Sequence, residues 1–288
     1  MNIRDIPVRV IGPGSQPGGN DGDAVTYMDM PSDMSTFVAP VMPEPEDVLA
    51  MDGAREAMNW LQAALDGYEP GGEPLLADLS ALDEQSRDVV NQILGEGEVS
   101  IVCDGQVRAR TQESVLAGVW RTVFFDSDDH AVCDLLEVAD IPKVVEFAAG
   151  SSAAVDIAAD GVGSELANAL PILVELRSHH EKYMDGGTPH SINLTLLPLS
   201  EPELEFIDQR LGRGPVDILS RAYGKCEVIS TESAGIWWVR YYNSMGVLTL
   251  NTVEVVDVPE VVKAAPEDIV DSAARLKEIL EPYWSEVA

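Results

Sequence analysis

LDEQSRDVVNQILGEGEVSI, residues 82–101, lies over LSEPELEFIDQRLGRGPVDI, residues 199–218, at an offset of 117. The same offset continues without a gap, setting AGVWRTVFFDS (117–127) on AGIWWVRYYNS (234–244) and LEVADIPKVV (136–145) on VEVVDVPEVV (253–262). Of the 64 pairs between 82 and 145, 18 are identical, among them Gly95/Gly212, Gly97/Gly214, Trp120/Trp237, Asp140/Asp257 and Pro142/Pro259. Gly, Trp and Pro held in register over this length predict a duplicated unit. Upstream, an offset of 115 sets Gly71-Gly72-Glu73-Pro74 on Gly186-Gly187-Thr188-Pro189.

Outward from that match, each unit reads as two helices followed by strands. Ala54, Met58, Leu61, Leu65 and Tyr68 alternate by four and three, the spacing of one helical stripe. The corresponding helix of the second copy falls near 163–184 and ends at Gly186-Gly187. A short extended segment follows in each copy, with Ile192, Leu194 and Leu196 alternating as a strand does. The next helix opens on Asp83 in one copy and on the capping box Ser200-Glu-Pro-Glu203 in the other. Its buried side is Leu82, Val89, Ile93 and Leu94, and Gly95 and Gly212 are expected to cap it in the left-handed conformation. Beyond the GxG, VSIVCDGQVRARTQ reads as two strands about the Asp104-Gly105 turn. Two more strands turn at Ser127–Asp129, or at Asn243–Gly246 in the second copy. Helices followed by an antiparallel meander make the fold class α+β, a tandem pair of pseudo-symmetric repeats.

The expected organisation is a flexible Pro/Gly/Met-rich arm at 1–45, unit one at 46–147, a linker at 148–162, unit two at 163–263 and a C-terminal helix at 264–288. The arm holds PGSQPGGNDGD and YMDMPSDM, too polar and broken to build a core. In the last segment Pro266 stands near the helix start, acids 267–268 fill its first turn, and Ile269, Ala273, Leu276 and Leu280 form a stripe expected to pack on one of the units.

The 288 residues carry 50 Asp+Glu against 18 Lys+Arg, a net charge of −32. Phosphates are repelled by such a surface, so nucleic acid and anionic membranes are excluded as electrostatic partners. The excess is spread along the chain, 6 within 1–50, 13 within 51–145 and 13 within 146–288, so most of it is solvated surface. No run approaches the length of a membrane span, and MNIRDIPVRVIGPGSQPGG lacks the apolar core of a secretory signal. Three cysteines without a CxxC make neither a disulfide framework nor a closed zinc site. A cytoplasmic protein is expected.

The chemical candidates are few. Gly95-Glu-Gly97 and Gly212-Arg-Gly214 follow a helix and precede a strand, the reverse of a dinucleotide loop, so they read as caps and tight turns rather than a cofactor site. His179 and His180 are neighbours on a helix and point about 100° apart, so they do not chelate one ion together. With Glu181 and His190 they read as a polar helix end, and no metal site is expected. Asp126-Ser-Asp128-Asp129-His130 lacks the Gly and Glu of a calcium loop and becomes Asn243-Ser-Met-Gly246 in the second copy, as hairpin tips do. Cys103 and Cys133 fall in strands, and Cys103, Cys133 and Cys226 align with Ser220, Leu250 and Ala109, so the cysteines read as small buried residues rather than a shared cluster site. No catalytic residue and no cofactor are expected; the chain does not read as an enzyme. Of the aromatic set, Trp120 and Trp237 read as paired core residues. Trp238 points to the opposite side of its strand, so it is the surface candidate, with Tyr241 and Tyr242 beside it as partner-binding residues.

MSTFVAPVMPEPED (34–47), LGEGEVS (94–100), the GVW (118–120) and GIWW (235–238) strands and the EV-x-D-[IV]-P endings at 137–142 and 254–259 together resemble the HupH/HyaF hydrogenase expression/formation proteins. The resemblance runs from about Met34 to the C-terminal helix. It implies an accessory role in maturing an uptake [NiFe] hydrogenase, acting in the cytoplasm on the Fe–S small-subunit precursor before twin-arginine export, with other maturation proteins as further partners. No residue roles come with it. The acidic surface and exposed aromatics would suit an arginine pair and an apolar signal stretch, with acids near Trp238 contributing. Two other readings stay open: a scaffold for other maturation factors, or an enzyme or ligand-binding protein using a cleft between the units.

Overall fold

The computed structural model describes residue 48 and residues 51–150, 166–221 and 224–284. The expected arm, 1–45, and all of the linker beyond residue 150 lie outside them. In chain order the elements are α1 (Asp52–Gly67), β1 (Leu75–Asp78), α2 (Glu84–Leu94), β2 (Val99–Asp104), β3 (Arg108–Glu113), β4 (Val119–Phe125), β5 (Ala131–Val138) and α3 (Lys143–Gly150). There follow α4 (Ala169–Met184), β6 (His190–Asn193), α5 (Glu201–Leu211), β7 (Val216–Ser220), β8 (Lys225–Ser230), β9 (Ile236–Tyr242), β10 (Leu248–Val255) and α6 (Pro266–Leu280). The fold is α+β. All ten strands join one antiparallel sheet in the order β1-β5-β4-β3-β2-β7-β8-β9-β10-β6. The two halves meet where β2 pairs with β7, Ile101 opposite Ile218.

Alternation along the strands gives the sheet two apolar faces. Trp120, Trp237, Ile101, Ile218 and Val228 point to the front, where α3 covers the seam with Val144, Val145, Ala148 and Ala149 and a short 3₁₀ turn adds Val262. This cluster takes residues from both halves. On the back, Val119, Leu136 and Val138 pack against α1, α2 and α6, while Ile236, Trp238, Val253 and Val255 pack against α4 and α5. The C-terminal helix thus returns to the first half, burying Ile269, Leu276 and Leu280 beside Met58 and Leu61, with Gln62 Nε2 donating to the Ala273 carbonyl at 3.1 Å.

This double covering corrects the reading of Trp238. It does point opposite to Trp237, but it is 2% exposed, under α4 and α5. Alternate residues of one strand are both core when helices lie on both faces of the sheet.

The local signals do their work in most places. The Asp83 carboxylate accepts from the Ser86 amide at 2.9 Å, and the Ser200 amide and hydroxyl both reach Glu203 Oε2, at 2.9 and 2.8 Å. Gly95 and Gly212 close α2 and α5 through amide bonds to Asn91 and Asp208. Their φ values are positive, 56° and 64°, but ψ of −166° and 178° takes them out of the left-handed helical region. The chain leaves each helix extended, in a region that glycine alone occupies easily, and heads straight for the next strand. The aspartates of the EV-x-D-[IV]-P endings acquire a reason. Tyr68 Oη donates to the Asp140 carboxylate at 3.0 Å and accepts from the Asp140 amide at 3.1 Å, tying the end of α1 to the end of β5. Tyr183 Oη accepts from the Asp257 amide at 2.9 Å and ties α4 to β10 in the same way.

Two expectations differ. The strand at Ile192 stops at Asn193, whose carboxamide accepts from the Thr195 amide at 3.0 Å and bends the chain into a 3₁₀ turn, leaving Leu196 80% exposed. The start of the expected linker, residues 148–150, belongs to α3, whose Ala148 and Ala149 are held in the front cluster.

Candidate functional site

On the back of the sheet the helices stand to either side, and among the described residues none crosses the seam. Val102 is there 44% exposed, paired with Arg110 on one side and Asp217 on the other, with Leu219 and Val123 half-buried nearby. Cations lie on the rings that flank this strip: Arg110 5.4 Å from the centroid of Phe125, Lys225 5.3 Å from Tyr242, and Arg240 4.5 Å from Trp238. Carboxylates hold the neighbouring side chains. Arg121 makes a two-pronged pair with Asp134 at 2.9 and 2.6 Å, Arg240 meets Asp208 at 2.9 Å, and Tyr242 Oη donates to Glu227 at 3.0 Å. In a chain of charge −32 this strip is a patch of mixed charge with an apolar centre. The charge over Trp238 is a guanidinium rather than the acids expected there. Tyr241 faces the front and is half-buried in the central cluster; burial pushes its hydroxyl up to about 12. Of the three aromatic candidates, Tyr242 is the one left half-buried on the back face, three strands from Val102 at the rim of the strip.

A second grouping was not visible as such in the sequence. Glu175 and His179, one turn apart on α4, meet His190 at the start of the edge strand β6. His190 Nε2 and Glu175 Oε1 are 2.8 Å apart, and the His179 and His190 rings stack at 3.5 Å with an interplanar angle of 6°. Partial burial first, then His190 and Lys182, hold the His179 imidazole below its usual range. His180 turns away and donates from Nε2 to the Ala234 carbonyl at 2.7 Å. The signal in the sequence is the i,i+4 spacing of Glu175 and His179, which puts both on one face of a helix.

The remaining candidates are structural. The Asp126 carboxylate accepts from the amides of Asp128 and His130, both at 2.9 Å, as a hairpin tip held by its own aspartate. Cys103 and Cys226 are buried on the front face, their thiols pushed up to about 12 and about 11 by burial, and Cys133 is half-buried in β5. Both GxG segments stand at helix C-termini, where carbonyls rather than amides are exposed.

Burial also acts on carboxylates of the front face. Glu113, opposite Trp120, is pushed from 4.5 up to about 7, against backbone hydrogen bonds at Gly118 and Val99, and Glu98 and Asp268 add to the rise. Glu137 and Glu254 are raised by burial too. With the folded value above the unfolded one, the contribution of neutral Glu113 to stability is complete below pH 4.5 and lost as pH rises through about 7. Above that, Glu113→Gln should stabilise the protein by about 2–3 kcal/mol. Urea unfolding of both proteins at pH 5.5 and 8 checks this, and an equal pH dependence in the two would refute it.

A family model described as the HupH hydrogenase expression protein, C-terminal conserved region, matches residues 51–158 and again residues 166–283. The hydrogenase expression/formation protein HoxQ of Cupriavidus necator is 41% identical over 98% of this chain and 98% of its own length. HupH of Rhodobacter capsulatus, with the same description, is 38% identical over 96% and 97% of the two chains. The hydrogenase-1 operon protein HyaF of Escherichia coli is 33% identical over 94% and 95%. A solved structure, the hydrogenase expression protein HupH from Thiobacillus denitrificans, is 33% identical and covers 38% of this chain and 92% of its own, with a TM-score of 0.37.

Proposed function

The chain belongs to the HupH family of hydrogenase expression proteins and so has a role in hydrogenase maturation; within that role we propose that it is a non-catalytic chaperone for the Fe–S small-subunit precursor of an uptake [NiFe] hydrogenase, acting in the cytoplasm before twin-arginine export. The observation that carries this is the alignment, over nearly the whole of both chains, with relatives named as hydrogenase expression/formation proteins. Among the described residues no helix is long and apolar enough to cross a membrane. The acidic surface suits an arginine-bearing signal through charge-assisted hydrogen bonds.

The family model matching twice, and a strand order that reads outward from the β2–β7 seam as 2-3-4-5-1 on one side and 7-8-9-10-6 on the other, support two pseudo-symmetric copies at 46–147 and 163–263. Because these copies share one sheet, the open strip across the seam is the better docking surface than a cleft between separate units. At its rim on the second half we place Tyr242 as a direct contact and Arg240, stacked on Trp238, as a second. Trp238 then acts beneath the surface, and Tyr241 from the front face. The different hairpin tips of the two halves, Asp126–His130 and Asn243–Gly246, favour a second role as a scaffold in which each copy meets a different maturation protein.

Binding of the purified protein to a hydrogenase small-subunit precursor, with and without its signal segment and at low and high salt, tests the reading. The expected result is binding that needs the signal, weakens with salt and falls about 10-fold in Tyr242→Ala. Absence of binding ends the chaperone reading. Binding unchanged by Tyr242→Ala removes the open strip from it.

A further inference from the structure

We infer that Glu175, His179 and His190 form a binding site for one borderline divalent transition-metal ion, of the zinc or nickel class. One ligand atom from each of the three lies within 4.8 Å of the other two. Helix α4 supplies two of them from adjacent turns of one face. Strand β6 supplies the third, and its place is set by pairing of His190 with Val255 of β10. The site therefore joins a helix to a sheet edge, each held by its own backbone hydrogen bonds, rather than relying on one mobile loop.

The distances suit an ion. The 2.8 Å between His190 Nε2 and Glu175 Oε1 opens by about half an ångström to reach the roughly 3.3–3.6 Å that neighbouring ligands keep around a tetrahedral ion with bonds of about 2.0–2.2 Å. The ion replaces the proton of that hydrogen bond, standing off the N–O line at bonding distance from both atoms, and the ring proton of His190 moves from Nε2 to Nδ1. Two parallel rings 3.5 Å apart do not both aim a lone pair at one point, so binding tilts one of them about its terminal torsion, which is broad and soft in histidine. Both rings are only half-buried, which leaves room for the tilt. Lys182 near His179 opposes a cation; the Glu175 carboxylate, which becomes a ligand, offsets it.

Two imidazoles and one carboxylate select zinc, nickel or copper over magnesium and calcium, which prefer oxygen ligands alone. Three protein ligands leave a coordination position open to water or to a group from a partner. Helix-on-sheet packing does not demand this triad. At the offset of 115 that aligns the two Gly-Gly turns, the first half has Trp60, Ala64 and Leu75 in the same places. Ala64 is buried and Trp60 half-buried in the first-half core, while Leu75 is exposed.

The test is isothermal titration of the untagged full-length protein with Zn²⁺ and separately with Ni²⁺, in excess Mg²⁺ to occupy scattered carboxylates. One ion per chain is expected, with affinity falling about 100-fold or more in the His179→Ala/His190→Ala double variant and about 10-fold in Glu175→Gln. His130→Asn, at an exposed hairpin tip, should bind as the native protein does. Far-UV circular dichroism confirms that the variants fold. Lack of a stoichiometric site in the native protein, or equal binding by the double variant, overturns the inference. Neither result bears on binding to the hydrogenase precursor, so this site and the chaperone reading fail separately.

Discussion

Trp237→Ala lowers the stability of the protein by about 3–5 kcal/mol, and Trp120→Ala by a similar amount. Both side chains are fully buried. Each indole also anchors backbone: Trp237 Nε1 donates to the Val256 and Asp257 carbonyls at 3.1 and 3.0 Å, and Trp120 Nε1 to the Ala139 carbonyl at 2.9 Å. Truncation therefore opens a large cavity and strips these carbonyls, the Ala139 one buried, of a donor. Because the two rings share one front cluster with α3, and β2 pairs with β7, the loss in either half is felt by both. Urea unfolding should show one transition, moved to lower denaturant with its slope unchanged. A biphasic curve in which half the signal keeps the native midpoint would mean that the seam does not couple the halves.

Gly97→Ala and Gly214→Ala each cost about 3 kcal/mol or more, at the upper end of what overpacking does, because the obstacle is backbone. A Cβ on Gly97 would stand 2.2 Å from the Ser114 carbonyl oxygen, and one on Gly214 2.2 Å from that of Thr231. These close approaches are made by hydrogen bonds, Gly97 amide to the Glu113 carbonyl at 2.7 Å and Gly214 amide to the Ser230 carbonyl at 2.8 Å. A control is Gly67→Ala at the end of α1, where an added Cβ meets nothing within 4 Å; it should change stability by less than about 0.5 kcal/mol. Thermal denaturation of the three variants separates the cases. If all three glycines tolerate alanine equally, the second glycine of each GxG has no steric role.

The residues that were legible were those whose signal is local. The Asp83 and Ser200 caps, the turns at Asp104-Gly105 and Asn243–Gly246, the stripes of α1 and α6 and the core pair Trp120/Trp237 each depend on neighbours within a few positions, or on one buried face. Trp238 misled because alternation says only that two residues face opposite sides. It says nothing about whether helices cover both. Leu196 misled because its alternation with Ile192 and Leu194 was broken by a side chain, Asn193, that competes for the backbone. At the candidate sites, the cations stacked on Phe125 and Tyr242 come from neighbouring strands, across a register that no spacing in the chain displays, whereas Arg240 stacks on Trp238 from two residues along the same strand.

By itself the sequence determined the class of the fold, the order of most helices and strands, though not helix α3 or the end of β6, and the likeness to the hydrogenase expression proteins. Each follows from short-range backbone preference, from periodic burial, or from residues matched one by one. Only the tertiary structure decided that the halves join edge to edge through β2 and β7, that α6 returns to the first half, that the back of the seam stays open, and that Glu175, His179 and His190 meet. These depend on which apolar face finds which partner over a hundred or more residues. That choice is made by the summed burial of whole surfaces, and burial carries no mark of it in the local pattern of the chain.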